Sequence, residues 1–503
     1  LLKREGYRHD YPFCWRCDAP LIYFARTGWF IKTTREIQRA IENNRKIAWY
    51  PEHIRDGRFG NFLETNVDWA LSRECYWGTP LPIWQCPSCG HEEAIGSFDE
   101  LKGKPGVKGL DALDRARAED ASLSDHLRVH KPWIDEVVYD CPVCSNRMYR
   151  VPEVIDCWYD AGAMPFAQWG YPHAPGSKER FEEAFPADFI SEAIDQTRGW
   201  FYSLLMESTL LFPKTPLPHP CRTCVVLGHV CDESGEKMSK HLANYLDPFD
   251  ILKQESADAL RWFFLSCNHP WTSARFSRPG VREAQKEFLL KLRNVYSFFV
   301  IYANIDGFDP ACSKGLGALL SGGPDRWAPL RGGRAVKERC EMDRWILSEL
   351  YQTVERVRDR LDDYDVFAAA TALNEFAEAL SNWYVQRSRD RFWRSWKNPD
   401  RSAPEDLDKR DAYWTLYECL TTLAQVMAPF VPFMADEMWR NLARRALGQR
   451  VAESVHLCDF PQPDAEVLDR DLAGEMDLVR EIVSLGRSVR AAQKLKVRLP
   501  LAR

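Results

Sequence analysis

Two copies of one four-residue turn constrain this chain more than any other feature. Cys86-Pro87-Ser88-Cys89 and Cys141-Pro142-Val143-Cys144 each place two thiols on a tight knuckle, and four thiolates at about 2.3 Å satisfy a tetrahedral Zn²⁺. The stretch between them is polar and poorly periodic from Gly103 to Arg128. Residues 86–144 therefore predict an insert stapled at its base by a structural zinc rather than by a core. The alternative is a set of reduced surface thiols; redox exchange suits two matched knuckles less well. The chain holds 16 cysteines in 503 residues and shows no secretory features, which argues for thiols and metal rather than disulfides. Two further pairs share the spacing, Cys14/Cys17 and Cys221/Cys224. The second pair leads into an apolar run and reads as ordinary buried residues, or else as a partner for Cys14/Cys17.

That run, Val225 to Val230, is β-branched and apolar and predicts a buried strand. Asp232-Glu233-Ser234-Gly235 is turn chemistry, so Lys237 and Lys240 of Gly235-Glu236-Lys237-Met238-Ser239-Lys240-His241 fall on a mobile loop past the strand end. Asp247 then caps and Pro248 starts a helix, continued through Ile251, Leu252, Leu260, Phe263 and Phe264. Compact cations on a flexible arm suit a polyphosphate whose charge moves during reaction. A lone K-x-x-K is more often a solvated loop, so its company decides.

Upstream, Phe189-Ile190 read as strand and Trp200 to Leu211 as an apolar helix. Glu192, Asp195 and Gln196 then lie at the carboxyl end of a strand, where open α/β sheets bind ligands. A carboxylate there can hold an ammonium group; helix-start capping is the competing use for both acids. For Trp158 and Trp200 the competing reading is core packing.

Four blocks carry a resemblance. They are Asn66-Val67-Asp68-Trp69-Ala70-Leu71-Ser72-Arg73-Glu74-Cys75-Tyr76-Trp77-Gly78-Thr79-Pro80, Asp156-Cys157-Trp158-Tyr159-Asp160-Ala161-Gly162-Ala163-Met164, the segment from Ala187 to Tyr202, and the lysine loop. In this order they resemble the isoleucyl-tRNA synthetase family of class I, across essentially the whole chain. The resemblance implies an α/β fold: the second half of a class I Rossmann-like parallel sheet with a zinc-knuckle insert, followed by an all-α anticodon-binding helical bundle. It divides the chain into 1–60, the return from an editing insertion with half a zinc site; 61–275, the catalytic half-domain with its insert at 86–144; 276–340, linking helices that contact the tRNA stem; 341–460, the helical bundle; and 461–503, the start of a C-terminal tRNA-contacting region.

It also implies roles. Lys237 and Lys240 are the catalytic pair and, with Met238, Ser239 and His229, the ATP-binding group, Mg²⁺ sharing the phosphate charge. Glu192 and Gln196 contact the aminoacyl-adenylate, Asp195 helps fix the amino group, and Trp158 and Trp200 wall the side-chain pocket. Cys14 and Cys17 look like half of a tetrahedral zinc site. His241 stands where the family's lysine motif usually ends in serine. The family's H-x-G-H motif does not occur, and Gly228-His229 is no match for it. The chain is therefore expected to be an internal fragment, lacking the N-terminal motif and editing part and the C-terminal end, and to have little activity alone.

Towards the C-terminus, Trp345, Leu347, Leu350, Tyr351, Val354 and Val357 form one helical apolar face. Asn382 to Trp393 interleaves basic and aromatic residues, with Arg387 and Arg391 one helical turn apart, suited to phosphate or to salt bridges. With Ala428 to Phe433 and Ser454 to Leu457, this block resembles the anticodon-binding bundle, which nominates Trp383, Arg387 and Arg391 as tRNA contacts. Gly486 to Arg503 is basic without an acid; Arg487 and Arg490 are tRNA-backbone candidates or simply an exposed helix face. The net charge of −6 leaves nucleic acid to local basic patches. No apolar run reaches the roughly 20 residues that span a bilayer. The expected partners are tRNA(Ile), ATP and L-isoleucine, with no membrane, in a cytoplasmic monomer. The rivals are a valine- or leucine-specific relative and a non-catalytic, synthetase-derived zinc-ribbon factor that binds tRNA.

Overall fold

The strand expected around Phe189-Ile190 runs from Ala187 to Ala193 in the computed structural model of the protein. The structure describes all residues except 1–3, 7–8, 15–16, 216–217, 240–243, 313–322, 324–325, 498–499 and 501–503. They form two units, Leu1–Cys224 and Val225–Arg503.

Strand Cys221–Leu227, which begins in the first unit, lies between Ala187–Ala193 and Ala48–Tyr50. Helix Trp200–Leu211 joins the first two strands, the crossover connection that parallel neighbours require. Every residue from Phe201 to Thr209 on this helix is buried, as expected of a helix apolar all round. A second, short helix, Cys157–Gly162, packs on it. Asp156 caps that short helix, accepting from the Trp158 N–H at 3.3 Å. The same buried carboxylate accepts from Trp69 Nε1 at 3.1 Å and Arg73 Nη2 at 2.7 Å. Two residues of the Asn66–Pro80 block thus fix the start of the Trp158 helix.

The insert is a four-stranded antiparallel sheet in the order Glu92–Ala94, Ile83–Gln85, Arg147–Arg150, Tyr139–Asp140. Trp84, Leu101, Ile134, Tyr139 and Met148 form a small core beside Cys86 and Cys141. This corrects the expectation of an insert held without a core. Its apolar residues flank the polar 103–128 stretch rather than sit in it, and that stretch itself carries helix Ala112–Glu119.

The second unit is mostly helical. Asp247 does cap Pro248–Gln254, accepting from the Phe249 N–H at 2.9 Å. The helix does not continue to Phe264: Ser256, at φ +90°, breaks it and caps a new one, Ala257–Ser266. The expected face on helix Glu341–Asp362 is buried at all six positions. Helix Pro404–Met427 is buried throughout from Asp411 to Met427. Three of its buried charges are paired: Asp411 with Arg334 at 2.6 Å, Lys409 with Asp306 at 2.7 Å, and Glu418 with Arg331 at 2.8 Å; Asp406 accepts instead from the Lys397 and Asn398 N–H groups.

Candidate functional site

At the carboxyl end of strand Ala187–Ala193, a 3-10 turn, Ile194–Arg198, carries Asp195 and Gln196 into the start of the Trp200 helix. Gln196 Oε1 accepts from the Trp200 N–H at 3.1 Å, and Gln196 Nε2 donates to Asp195 Oδ2 at 3.3 Å. The helix-start role falls to the amide, and neither Glu192 nor Asp195 caps. Both acids are exposed. The Glu192 carboxylate makes no side-chain hydrogen bond or ion pair among the described residues.

Gly199 joins this turn to the Trp158 helix. A Cβ there would sit 2.7 Å from Gln196 Oε1 and 2.9 Å from Trp158 Cη2, so only glycine lets the indole lie over the turn. Trp200 Nε1 donates to Ala161 O at 2.9 Å, tying the two helices together. Trp158 is 39% exposed, so its ring is not core. An indole wall beside a polar turn with two exposed carboxylates can hold an apolar side chain and its ammonium group.

The lysine loop belongs to the second unit. Strand Val230–Cys231 pairs in parallel with Ala274–Arg275. Half-exposed His229, just before it, accepts through its carbonyl from the Ala274 N–H at 2.9 Å. The chain then folds back: Cys231 bridges Lys237, and the Met238 N–H donates to Val230 O at 3.1 Å. Asp232 organises the turn. Its carboxylate accepts from Ser234 Oγ at 2.6 Å, the Glu236 N–H at 2.9 Å and Asn244 Nδ2 at 2.9 Å. The Ser234 hydroxyl first, then the Asn244 amide, holds its pKa at about 2. Asn244 Oδ1 also accepts from the Ser239 N–H at 2.9 Å. Asp232 and Asn244 therefore clamp both sides of the motif, a pair that local sequence spacing did not single out. Lys237 is exposed, Met238 and Ser239 half-buried; Lys240 and His241 lie outside the described residues.

The four insert cysteines converge. Cys86 and Cys144 sulfurs lie 3.4 Å apart, Cys89 and Cys141 3.6 Å, and all four fall within 4.8 Å of one another. A tetrahedron with 2.3 Å bonds has edges of about 3.8 Å, so the set fits Zn²⁺. The knuckles share one backbone design. The first cysteine's carbonyl accepts from the residue four later (Gly90 and Ser145, both at positive φ), and its N–H donates to the residue five later (His91 and Asn146). Cys14 repeats this design with Asp18, at φ 55°, and Ala19. The backbone at Cys14 thus matches the start and end of the insert's knuckles, and no cluster of three or more metal-ligating groups includes Cys14 or Cys17 among the described residues. Cys221 and Cys224 are buried, and burial alone pushes the Cys221 thiol up to about 12. They are ordinary core residues and do not complete the Cys14/Cys17 set among the described residues.

The basic-aromatic block divides. Arg387 is exposed and stacks over Trp383 at 5.4 Å. Arg391 instead turns inward, bidentate to Asp343 at 2.8 and 2.6 Å and bound to Asp408 at 2.9 Å. The salt-bridge reading is the one its geometry supports, and a phosphate contact is not. That guanidinium also occupies the Cys340, Asp343, Asp408 cluster where a cation might otherwise be sought. Helix Arg470–Ala492 brings Arg487 to Trp383, since both line a polar cavity of about 490 Å³ with Glu375, Asp477 and Arg480. Arg490 is spent partly on its own helix end, donating to Lys496 O at 2.9 Å. On the same helix Leu478, Ile482, Leu485 and Val489 form an exposed stripe.

Residues 10–274 match the family model described as tRNA synthetases class I (I, L, M and V), more than half of the chain. The chain belongs to this class of tRNA synthetases. Residues 343–503 match a second model, the anticodon-binding domain of tRNA ligase, so a class I synthetase segment is followed by an anticodon-binding domain. It is 48% identical over 504 residues to an isoleucine–tRNA ligase of Dehalococcoides mccartyi, covering 100% of this chain and 45% of that protein. It is also 48% identical over 502 residues to that of Clostridium novyi, covering 43% of that protein. The synthetase chain thus spans less than half the length of the curated relatives it matches. Two solved structures share the fold. Mycobacterium tuberculosis methionyl-tRNA synthetase bound by methionyl-adenylate has a TM-score of 0.55 at 16% identity, covering 91% of this chain and 72% of its own. A leucyl-tRNA synthetase from Agrobacterium radiobacter, in a ternary complex with tRNA and LeuAMS, scores 0.53 at 16% identity, covering 83% and 46%. Among the described residues no helix is long and apolar enough to cross a membrane.

Proposed function

We propose that the chain is part of an isoleucine–tRNA ligase, which activates L-isoleucine with ATP and transfers it to tRNA(Ile). The observation that carries this is the 48% identity over the whole chain to isoleucine–tRNA ligases. The Trp158–Gly199–Gln196 wall is consistent with it. In this reading Trp158 and Trp200 flank the branched side chain, Asp195 draws in the ammonium group, and Glu192 and Gln196 contact the adenylate. The isoleucine carboxylate attacks the α-phosphorus of ATP and pyrophosphate leaves; no covalent bond to the protein is needed. Lys237 and Lys240 follow the charge onto the pyrophosphate, with His229, Met238 and Ser239 shaping the nucleotide side, so catalysis is positioning and charge stabilisation. Mg²⁺ supplies further neutralisation of the phosphates. Zn²⁺ on Cys86, Cys89, Cys141 and Cys144 supports the insert, with Cys14 and Cys17 offering a second half-site. Trp383, Arg387 and Arg487 form the tRNA-facing group, with a lesser part for Arg490. The fold and family suit a cytoplasmic enzyme.

The test is amino-acid-dependent ATP–pyrophosphate exchange by the full-length polypeptide. Exchange dominated by isoleucine and abolished by Lys240→Ala supports the reading. Dominance of valine or leucine would keep the class and overturn the pocket, and no exchange would favour a tRNA-binding factor. The chain as it stands is expected to show little exchange.

A further inference from the structure

Within the apolar Trp200 helix one side chain is out of character. Glu207 is 1% exposed, and neither of its carboxyl oxygens has a hydrogen-bond partner among the described residues. Desolvation first, and the Asp160 carboxylate second, push its pKa to about 9, so it sits in the interface as an uncharged acid at neutral pH. The titratable groups bearing on it are Asp160 and Tyr159, both on the Trp158 helix. A buried polar group without a partner is costly and calls for an explanation.

Its place supplies one. Trp200, Ser203 and Glu207 recur at helical spacing and meet the Trp158 helix along its length. Trp200 reaches Ala161 through its indole N–H. A Cβ on Gly162 would lie 2.9 Å from the Ser203 carbonyl carbon and only 2.1 Å from Glu207 Oε1. Glu207 therefore occupies the notch that Gly162 leaves by lacking a side chain. Trp158 and Gly162 are four residues apart, on one face of a short helix. At the far end of that face Trp158 Cη2 lies where a Cβ on Gly199 would come within 2.9 Å of it. The helix is held at both ends, so a shift at one is felt at the other.

We propose that Glu207 is a positioning residue: wedged into the Gly162 notch, it sets the spacing of the Trp158 and Trp200 helices and so how far the Trp158 indole reaches over Gly199 into the pocket for a branched aliphatic side chain. This rests on the reading of Trp158 and Trp200 as walls of an amino-acid pocket. Glu207 touches no substrate. Its contribution is the depth of the wall, which matters most when two substrates differ by one methylene.

The experiment is ATP–pyrophosphate exchange by the full-length enzyme with isoleucine and with valine, for Glu207→Gln, Glu207→Ala, Glu207→Leu, Gly162→Ala and the double variant Gly162→Ala/Glu207→Ala. Glutamine keeps the shape and should leave the isoleucine KM within about twofold, while alanine should raise it about tenfold. Alanine should also narrow the isoleucine-to-valine ratio of kcat/KM and leave the KM for ATP unchanged. Glu207→Leu, which preserves apolar volume and spares the fold, should act like alanine because its γ-branch does not enter the notch. Gly162→Ala should do the same, and the double variant should recover part of the loss because the new methyl fills the vacated space. An unchanged isoleucine KM in both Glu207→Ala and Glu207→Leu overturns the proposal, as does equal loss of isoleucine and ATP KM. Absence of exchange in the unmodified enzyme overturns the pocket reading instead.

Discussion

Arg391 and Asp343 form a two-pronged ion pair inside the helical unit, with contacts at 2.8 and 2.6 Å and the arginine side chain only 13% exposed. The Tyr384 hydroxyl donates to the same carboxylate at 2.7 Å. Arg387, one turn earlier, faces out and stacks on Trp383. Two arginines in one short run therefore serve different ends.

That difference is measurable. Arg391→Met should destabilise the helical unit by about 3–5 kcal/mol, because it strands a buried carboxylate. tRNA affinity of the folded variant should stay close to that of the parent. Arg387→Ala should do the reverse: little change in melting temperature, weaker tRNA binding, and a salt slope reduced by about 1.

Gly199→Ala should test the indole wall directly. The added methyl would meet Trp158 and Gln196 at under 3 Å, so one of them must move. Isoleucine KM in the full-length enzyme should rise about tenfold or more, with the ATP KM nearly unchanged. Steady-state exchange with varied isoleucine reads both.

The Asp232–Asn244 clamp should matter for turnover rather than for amino-acid binding. Asn244→Ala removes one hydrogen bond from the Ser239 N–H and one from an Asp232 oxygen, loosening the turn around the lysine motif. We expect kcat for exchange to fall about 10- to 100-fold with isoleucine KM unchanged. The Asp232 pKa is lowered from 3.8 to about 2, so its contribution is present above the ordinary aspartate range and is lost as pH falls through that window.

Glu207 carries a pH signature of the opposite sign. Its pKa rises from 4.5 to about 9 on folding, so the unfolded chain releases its proton first as pH rises. Native stability is unpenalised below 4.5 and falls progressively up to about 9, by about 3 kcal/mol at neutral pH. Glu207→Gln should therefore melt above the parent by a margin that grows from pH 5 to pH 8. Calorimetry of the first unit's transition across that range would show it.

Zinc removal should act locally. Cys141→Ser or a strong chelator should take the metal content from about one ion per chain to about none by elemental analysis. The sheet around Trp84 and Tyr139 should lose protection from hydrogen exchange, while helix Pro404–Met427 keeps its own.

Much of this architecture was legible from pattern. The Trp200 helix ends where its apolar run ends, and the apolar face from Trp345 to Val357 is buried as its spacing implies. Paired knuckles announced a four-sulfur cluster because the local turn alone fixes the sulfurs. What escaped depended on distant contacts. An acid at 207 in an apolar run gives no hint that it fills a notch left by a glycine 45 residues upstream. Asn244 carries no periodic signal, and its clamp exists only once the chain doubles back to Asp232. The insert's core is scattered across Trp84, Leu101, Ile134 and Met148, so no window of sequence shows it. Ser256 looked like an interior helix position, yet its φ of +90° ends one helix and starts another.

Cys14 carries both backbone hydrogen bonds of the insert's knuckles, and Asp18 matches their left-handed fifth residue. Half of a coordination shell is thus built by the peptide backbone before any ion arrives. Ordering entropy for those two ligands is spent at folding, and the binding step does not meet it again. On the proposal that these thiols bind a metal, its capture becomes a question of which second pair of donors comes within reach.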